Sequence, residues 1–587
     1  MVKPQSLASS PSRHDTMSLT RRALLQAGAG SLLALALPGC CLLRPRPLGP
    51  FCSNDPAIAN PGTPLTVDVH AHIFNGTDLQ VKRFIELVVS KQNDTFAQGA
   101  KILGGALQDL AWERAPTARQ EQAALRDLQD ALAQCETHGA QLARLKEGGY
   151  SLAKGELNAA VDRVQAAPGA PAAPANAAAY AVIRALPPTY DDYIRQKAAP
   201  GPGAMAAAPG GIDVAGLIDF VIQNFQYRYV SAHDYLLTYS RGPARRIDLL
   251  VASLVDYDWW LAKGEAPPSS LRDQVDLMGQ IAIATGGRVH AFAPFDPFRE
   301  VMTRRTGASA LALVKDAVVT HGAMGVKLYP PMGFAPFGNS GSMIWKGKDW
   351  LPDVAYQDGF GGELDAVLSE FFAWCIEEQV PVMAHTNKSN GPDPEFEKLA
   401  LADHWKLVLD RIDQRPDRKL RINFGHFGDT TPVADGPSRS EAFVALMKSR
   451  PTAAGAMAFA DASYFSDILD NAAKLQAILE GLYLGTQDQP GLLANRLMYG
   501  SDWEMSMMER NAGRYLSGFE ATFVKIEASL SARDPRFTGM ANRFFGRNAA
   551  TFLGLAKGNM NRERIDRFYA KNRITTPPHW MTKVDRL

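Results

Sequence analysis

The chain has 587 residues and a globular composition, 46% hydrophobic, 21% charged and 9% aromatic, with material for a large core. Its net charge of +1 provides no basic footprint for nucleic acid, so nucleic-acid binding is not expected. Cys40, Cys41, Cys52, Cys135 and Cys375 follow neither a disulfide framework nor a metal-ligand spacing. Cys375, in the apolar run Phe371-Phe372-Ala373-Trp374-Cys375-Ile376, reads as core.

Residues 1–60 read as an export signal and linker. Thr20-Arg21-Arg22 opens an apolar stretch, Ala23 to Leu37, that ends in Pro38-Gly39-Cys40. A charged n-region, a short apolar h-region and a small residue at the cut describe a signal, and the run is too short to span a bilayer comfortably. The paired arginines resemble a twin-arginine signal, and Leu37-Pro38-Gly39-Cys40 resembles a lipobox whose cysteine would be acylated. The expected location is the periplasm or, with a lipid anchor at Cys40, a membrane surface. Met17 gives the signal a more usual length.

The first strand, expected at 65–71, runs into Asp68-Val69-His70-Ala71-His72. In a strand, residues two apart share a face, so His70 and His72 should project together as two imidazoles must to bind one ion. Strict alternation puts Asp68 on the same face, one step deeper. Residues 61–76 then form the first barrel strand and its loop. Residues 77–245 break the rhythm of the rest, with long helical stretches (79–112, 117–148 and 213–227) and Ala/Pro-rich segments at 165–178 and 197–211. We read 77–245 as a helical insertion with its own core.

From 246 onward, short strand-like runs alternate with helical ones. The runs lie at 247–255, 288–294, 324–329, 380–385, 420–426, 455–460 and 496–501, which with the first strand makes eight. Strand–helix alternation implies parallel strands with right-handed crossovers, and eight such units close into a (β/α)8 TIM barrel. The alternative is a doubly wound open sheet, but no glycine-rich phosphate loop follows the first strand. The barrel occupies 61–76 and 246–556, and 557–587 is a C-terminal extension.

Residues able to do chemistry fall at the expected strand ends, where a barrel places its active site. Lys327 ends the fourth run, His385 the fifth, His426 the sixth and Asp502 the eighth. Four strand ends carrying His-x-His, His, His and Asp are costly to cluster without a use. Tyr257, Trp259, Trp260, Asp296, Arg299, Tyr329, Asn387, Lys388 and Trp503 follow strand ends and either line a pocket or plug the barrel mouth. The Gly/Pro-punctuated segment 332–339 is either a lid or an inert loop.

These motifs together resemble a family. Val-Asp-Val-His-Ala-His at 67–72, Gly-Val-Lys-Leu-Tyr-Pro-Pro at 325–331, Ala-His-Thr at 384–386, Gly-His-Phe-Gly at 425–428 and Tyr-Gly-Ser-Asp-Trp at 499–503 resemble the amidohydrolase superfamily. The branch they look most like is the amidohydrolase-2 group, which includes aminocarboxymuconate semialdehyde decarboxylase. The ending Phe544-Phe545-Gly546-Arg547-Asn548-Ala549-Ala550-Thr551-Phe552-Leu553-Gly554 is similar to that group's closing helix. The likeness covers 65–76 and about 246–556, and leaves out the insertion and the tail.

The resemblance implies one divalent metal ion, expected to be Zn2+, held by His70, His72, His385 and Asp502, with His426 beside it as a catalytic group. With a small-molecule substrate at this mouth, Lys327 and the strand-end residues Tyr329, Asn387 and Trp503 are the candidates to contact it. Lys327 is then a substrate-anion anchor or an ion-pair partner, whereas binuclear relatives carry a bridging carboxylated lysine near here. Asp68 would orient a ligand histidine. An ion held by neutral imidazoles lowers the pKa of water toward neutrality, and Asp502 can take and return the proton. Hydrolysis of an amide, ester or lactone of a carboxylate-bearing substrate follows. Decarboxylation at the same site is the first alternative. A non-catalytic surface lipoprotein that keeps the barrel for binding is the second.

Overall fold

Eight short apolar runs become eight parallel strands, because a barrel strand is buried on both faces and needs no polar alternation. They are β1 (Val67–Ala71), β2 (Leu249–Ser253), β3 (Val289–Pro294), β4 (Gly325–Leu328), β5 (Val382–His385), β6 (Ile422–Gly425), β7 (Ala458–Asp461) and β8 (Leu497–Met498), paired in sequence order. The computed structural model describes residues 62–88, 108, 111–131, 135–166, 180–198, 214–240, 244–388, 391–411, 420–430, 437–449, 457–486, 492–509 and 511–587. The twin-arginine-like stretch, the lipobox and most of both Ala/Pro-rich segments lie outside these residues.

The barrel closes between β8 and β1 through backbone hydrogen bonds. Val69 N donates to Tyr499 O (3.3 Å), Ser501 N and Asp502 N donate to His70 O (3.1 and 2.7 Å), and His72 N donates to Trp503 O (3.0 Å). The fold is therefore a (β/α)8 barrel, as expected. One irregularity matters. The register of β1 on β2 shifts between Asp68 and Ala71, the mark of a β-bulge. A bulge resets which face each side chain takes.

One end of the barrel is filled by apolar side chains. Val67, Val69, Leu249, Val251, Phe292, Met383, Phe459 and Met498 pack with Phe552 and Trp580 from the C-terminal helices. Trp580 Nε1 donates to Gly287 O (2.8 Å) just before β3, and Lys583 Nζ meets Asp248 Oδ1 (2.7 Å) just before β2. The C-terminal extension thus seals the end from which the strands start. The opposite end is left for chemistry.

The insertion contributes helices α1 (Val81–Leu87), α2 (Ala118–Ala131), α3 (Cys135–Ala166), α4 (Tyr190–Ala198), α5 (Val214–Asn224) and α6 (Arg228–Thr238). Tyr150, Leu157, Val161, Ile183, Ile218 and Phe225 form part of a separate apolar cluster within it. Helix α3 runs through Gly148-Gly149, where a stop was expected. The reason is a close approach: a Cβ on Gly149 would lie 2.3 Å from Gln226 Oε1. Gln226 in turn donates to Lys146 O (3.0 Å). The segment 332–339 is no lid. Asp365 accepts from the backbone N of Gly338 (3.0 Å), Asn339 (3.0 Å) and Ser340 (2.9 Å), and Trp345 Nε1 donates to Gly333 O (2.6 Å), so the loop is packed and pinned.

Candidate metal centre

His70 leaves β1 into the barrel interior, where Gly425 makes room for it. A Cβ at Gly425 would lie 2.8 Å from His70 Cε1. His72 follows at the strand end, and Asp502 arrives from the loop after β8. Asp502 holds a left-handed backbone (φ 52°), which is uncommon for a side-chain-bearing residue and persists where surrounding bonds fix it. The 2.7 Å bond from its N to His70 O is one of those.

The three side chains converge. Asp502 Oδ1 lies 3.4 Å from His72 Nε2 and 3.8 Å from His70 Nε2. Tautomers decide what this contact is. His72 Nδ1 faces Ser253 O at 3.0 Å, and a carbonyl can only accept, so the proton sits on Nδ1 and Nε2 presents a lone pair. His70 Nδ1 faces the Asp461 carboxylate (3.0 Å) and so carries its proton there too. Asp502 Oδ1 is buried with no hydrogen-bond partner among the described residues. The lone pairs of His72 Nε2 and Asp502 Oδ1 thus face each other with no donor between them, in a buried site where such an arrangement is costly unless a cation is shared, and His70 Nε2 points to the same place. Two imidazoles and a carboxylate, each able to sit about 2.0–2.2 Å from a common ion, fit a divalent metal. Burial holds His70 and His72 below the usual histidine range, and nearby Lys327 lowers them further, which favours neutral imidazoles at both.

Lys327, from β4, is the competitor. Its Nζ lies 3.0 Å from His70 Nε2, on the lone pair that an ion would use. An ion on that nitrogen displaces the lysine's hydrogen bond. Burial pushes the Lys327 ammonium down to about 8, partly offset by Asp502 and Asp461. Burial pushes Asp502 up to about 7, opposed by Lys327.

His385 and His426 stand beside the triad in a directed chain. Ser463 O accepts from His426 Nδ1 (3.2 Å), so His426 Nε2 is bare and accepts from His385 Nδ1 (3.1 Å). His385 Nε2 then carries its own lone pair. His70 and His426 lie ring to ring, 4.5 Å between centroids. Among the described residues, the donor atoms that gather within 4.8 Å are those of His70, His72 and Asp502. His385 joins them through His426, and Tyr329 stacks on it at 4.2 Å.

The role expected of Asp68 falls to Asp461. Because of the bulge, Asp68 touches no imidazole. Its Oδ1 accepts from His70 N (3.0 Å) and Ser501 N (3.2 Å), and its Oδ2 accepts from Tyr235 Oη (2.5 Å) of α6. Asp461, at the end of β7, is the carboxylate that orients His70. It also accepts from Asn423 Nδ2 (2.6 Å), His426 N (3.0 Å), Ser463 N (3.1 Å) and Ser463 Oγ (2.6 Å). Burial alone would raise its pKa; His70 and these donors hold it below the usual carboxylate range. Sequence reasoning missed Asp461, Ser463 and Tyr235. The first two sit at a strand end, in Ala460-Asp461-Ala462-Ser463, and that position was the available signal.

The outer residues divide. Trp503 is buried edge-on against Tyr235 and Tyr239 (5.4 and 5.6 Å between centroids), so it seals the mouth on that side. Asn387 is half-buried, 3.4 Å from Arg439 Nη1. A small cavity beside the triad is lined by Lys327, Tyr329, Trp260, Asp256, Asp296 and Phe334. Its acidic wall is already engaged: Arg299 pairs with Asp256 and Asp258, and Asp296 accepts from Trp260 Nε1 (2.7 Å).

No protein-family model and no curated protein matches this sequence. Among solved structures, the chain is similar to one named "Putative 2-Pyrone-4,6-Dicarboxylic Acid Hydrolase" from Pseudomonas putida, at 16% identity and a TM-score of 0.30, over 55% of this chain and 86% of that one. It is also similar to an uncharacterized TIM-barrel protein from Bordetella bronchiseptica, at 16% identity and a TM-score of 0.28, over 52% of this chain and 77% of that one. The barrel itself is established by the strand pairing above.

Proposed function

We propose that this chain is a metal-dependent hydrolase of the amidohydrolase-2 type, acting on an amide, ester or lactone of a small carboxylate-bearing substrate. The observation that carries the reading is the convergence of three metal-ligating atoms, His70 Nε2, His72 Nε2 and Asp502 Oδ1, in a buried mouth. These residues would hold one divalent ion, Zn2+ by their imidazole–carboxylate character, with His385 adjoining. When bound, the ion supplies Lewis-acid polarisation and activation of water near neutral pH.

The remaining work falls to the chain's own groups. Asp502 takes the proton of the attacking water and returns it to the leaving group, a role open to a buried carboxylate beside the two imidazoles. His426, whose Nδ1 proton is fixed by Ser463 O, offers a rigid imidazole beside the triad, and its Nε2 holds His385 in place through His385 Nδ1 (3.1 Å). Lys327, freed from His70, is the buried cation available to a substrate carboxylate. Asp461 and Ser253 hold the ligand tautomers. Trp503 and the pinned 332–339 loop keep water from the sides of the mouth.

The test is turnover by purified protein on ester and lactone panels bearing a carboxylate, with release of carbon dioxide from aromatic acids assayed in parallel. Ion-dependent hydrolysis that Asp502→Asn abolishes supports the reading. Carbon dioxide release, or no turnover on any substrate, overturns it. The N-terminal segment supports export, which cell fractionation tests.

A further inference from the structure

The seam where the barrel closes is the weakest part of its ladder. Strand β8 has two residues, and the chain leaves it with left-handed backbone at Asp502 (φ 52°) and Glu504 (φ 70°). Yet this seam sets the distance between the two histidines of β1 and Asp502. The closing segment at 543–552 packs on one side of it, with Phe544 O accepting from Tyr499 N (3.0 Å), and α6, the last helix of the insertion, adds side-chain contacts from outside the barrel.

Several contacts tie α6 and its approach to the seam. Tyr235 Oη donates to Asp68 Oδ2 at 2.5 Å, and the other oxygen of Asp68 accepts from His70 N and Ser501 N, one amide from each side of the seam. Tyr235 and Tyr239 grip Trp503 edge-on, and Tyr239 Oη donates to Ala512 O (3.1 Å). At the start of α6, the fully buried Arg228 pairs with Asp78 (2.9 Å) in the loop after β1 and with Glu121 (3.0 Å) of α2. Glu504 accepts from Phe74 N (2.8 Å), joining the loops after β1 and β8 directly.

We propose that Tyr235 is a positioning residue, supplied by the insertion, that fixes Asp68 as a bridge across the β1–β8 seam and so sets the geometry of His70, His72 and Asp502. The insertion is then part of the site and not an appendage. The consequence for ion affinity rests on the metal-centre reading above; the consequence for the seam does not.

The test uses the full chain and two matched substitutions. Tyr235→Phe removes the hydroxyl and leaves Asp68 Oδ2 buried without its donor. Tyr569→Phe removes a buried hydroxyl at the sealed end, 2.8 Å from His290 Nε2, and serves as the control for general destabilisation. Amide hydrogen exchange in peptides covering 67–75 and 497–505 is read first. Tyr235→Phe should speed exchange there at least about tenfold beyond Tyr569→Phe, since local opening tracks the contacts that hold a segment. Zn2+ affinity, by chelator competition, is read second and should fall about tenfold or more in Tyr235→Phe and stay unchanged in Tyr569→Phe. Exchange in both peptides equal to that of the control overturns the proposal. If wild type binds no Zn2+, the metal reading fails by itself, and the exchange comparison still decides the role of Tyr235.

Discussion

Asp461→Asn separates the carboxylate's charge from its shape. The native carboxylate accepts from His70 Nδ1, Asn423 Nδ2, His426 N, Ser463 N and Ser463 Oγ. An asparagine there has one acceptor oxygen and one donor group. With its oxygen toward His426 and Ser463, its NH2 group faces Asn423 and His70. Asn423 can adapt by flipping, because its own Oδ1 is buried without a partner. The NH2 group favours moving the His70 proton from Nδ1 to Nε2, which removes the lone pair offered to the ion, against the pull of Ser463 Oγ, which lies 2.8 Å from Nδ1 and can accept from it. Losing a charge-assisted bond in this setting costs about 1.5–3 kcal/mol, so unfolding in denaturant should show a loss of about 2–3 kcal/mol. Ion affinity should fall by more than the usual ~10–100-fold for a group behind a ligand, because the tautomer itself changes. Chelator competition measures the affinity, and imidazole 15N NMR reports which nitrogen of His70 is protonated. Affinity within about threefold of wild type, with His70 Nε2 still bare, would refute the tautomer argument.

Other outcomes follow from the same structure. Lys327→Met should strengthen Zn2+ binding at least about tenfold, by removing a cation from the lone pair of His70, while raising KM for a carboxylate substrate; competition and steady-state kinetics read the two effects. Asp502→Asn should abolish turnover yet leave the ion-free protein at least as stable, because it removes a buried oxygen without a partner; unfolding without added metal tests this. Stripping the ion with a chelator should lower the melting temperature, and Zn2+ should restore it, because a ligand of the folded state alone stabilises that state. Burial pushes His290, at the sealed end, down to about 4. An unfolded histidine titrates near 6.5, so between pH 6.5 and 4 the unfolded chain binds the extra proton and stability falls as pH falls. Denaturation at pH 7 and 4.5 should show wild type losing about 2–3 kcal/mol more than His290→Asn.

The barrel was legible in the sequence because strands buried on both faces leave short apolar runs at regular intervals. Even β8, with two paired residues, was marked by Arg496-Leu497-Met498-Tyr499. The histidines and Asp502 were legible because ionisable residues at the ends of apolar runs are conspicuous. Asp68 was misplaced for a definite reason: the alternation rule assumes an unbroken strand, and the bulge between Asp68 and Ala71 turns that carboxylate to Tyr235. Asp461 follows an alanine and a phenylalanine in a run too short to weigh, and only its partners reveal it. Tyr235 was hidden because a tyrosine in an amphipathic helix reads as packing. Nothing in its spacing points to a strand more than 160 residues earlier. The expected helical stretch ends at 148, whereas the helix continues and Gly149 serves a close contact with Gln226.

Elemental analysis of the purified protein, with His72→Ala and Asp502→Ala in parallel, tests the central claim most directly. The account predicts about one divalent ion per chain in wild type, most of it lost in each variant while the fold is kept. A wild-type chain that neither carries nor takes up a divalent ion, or variants that hold as much as wild type, would contradict it.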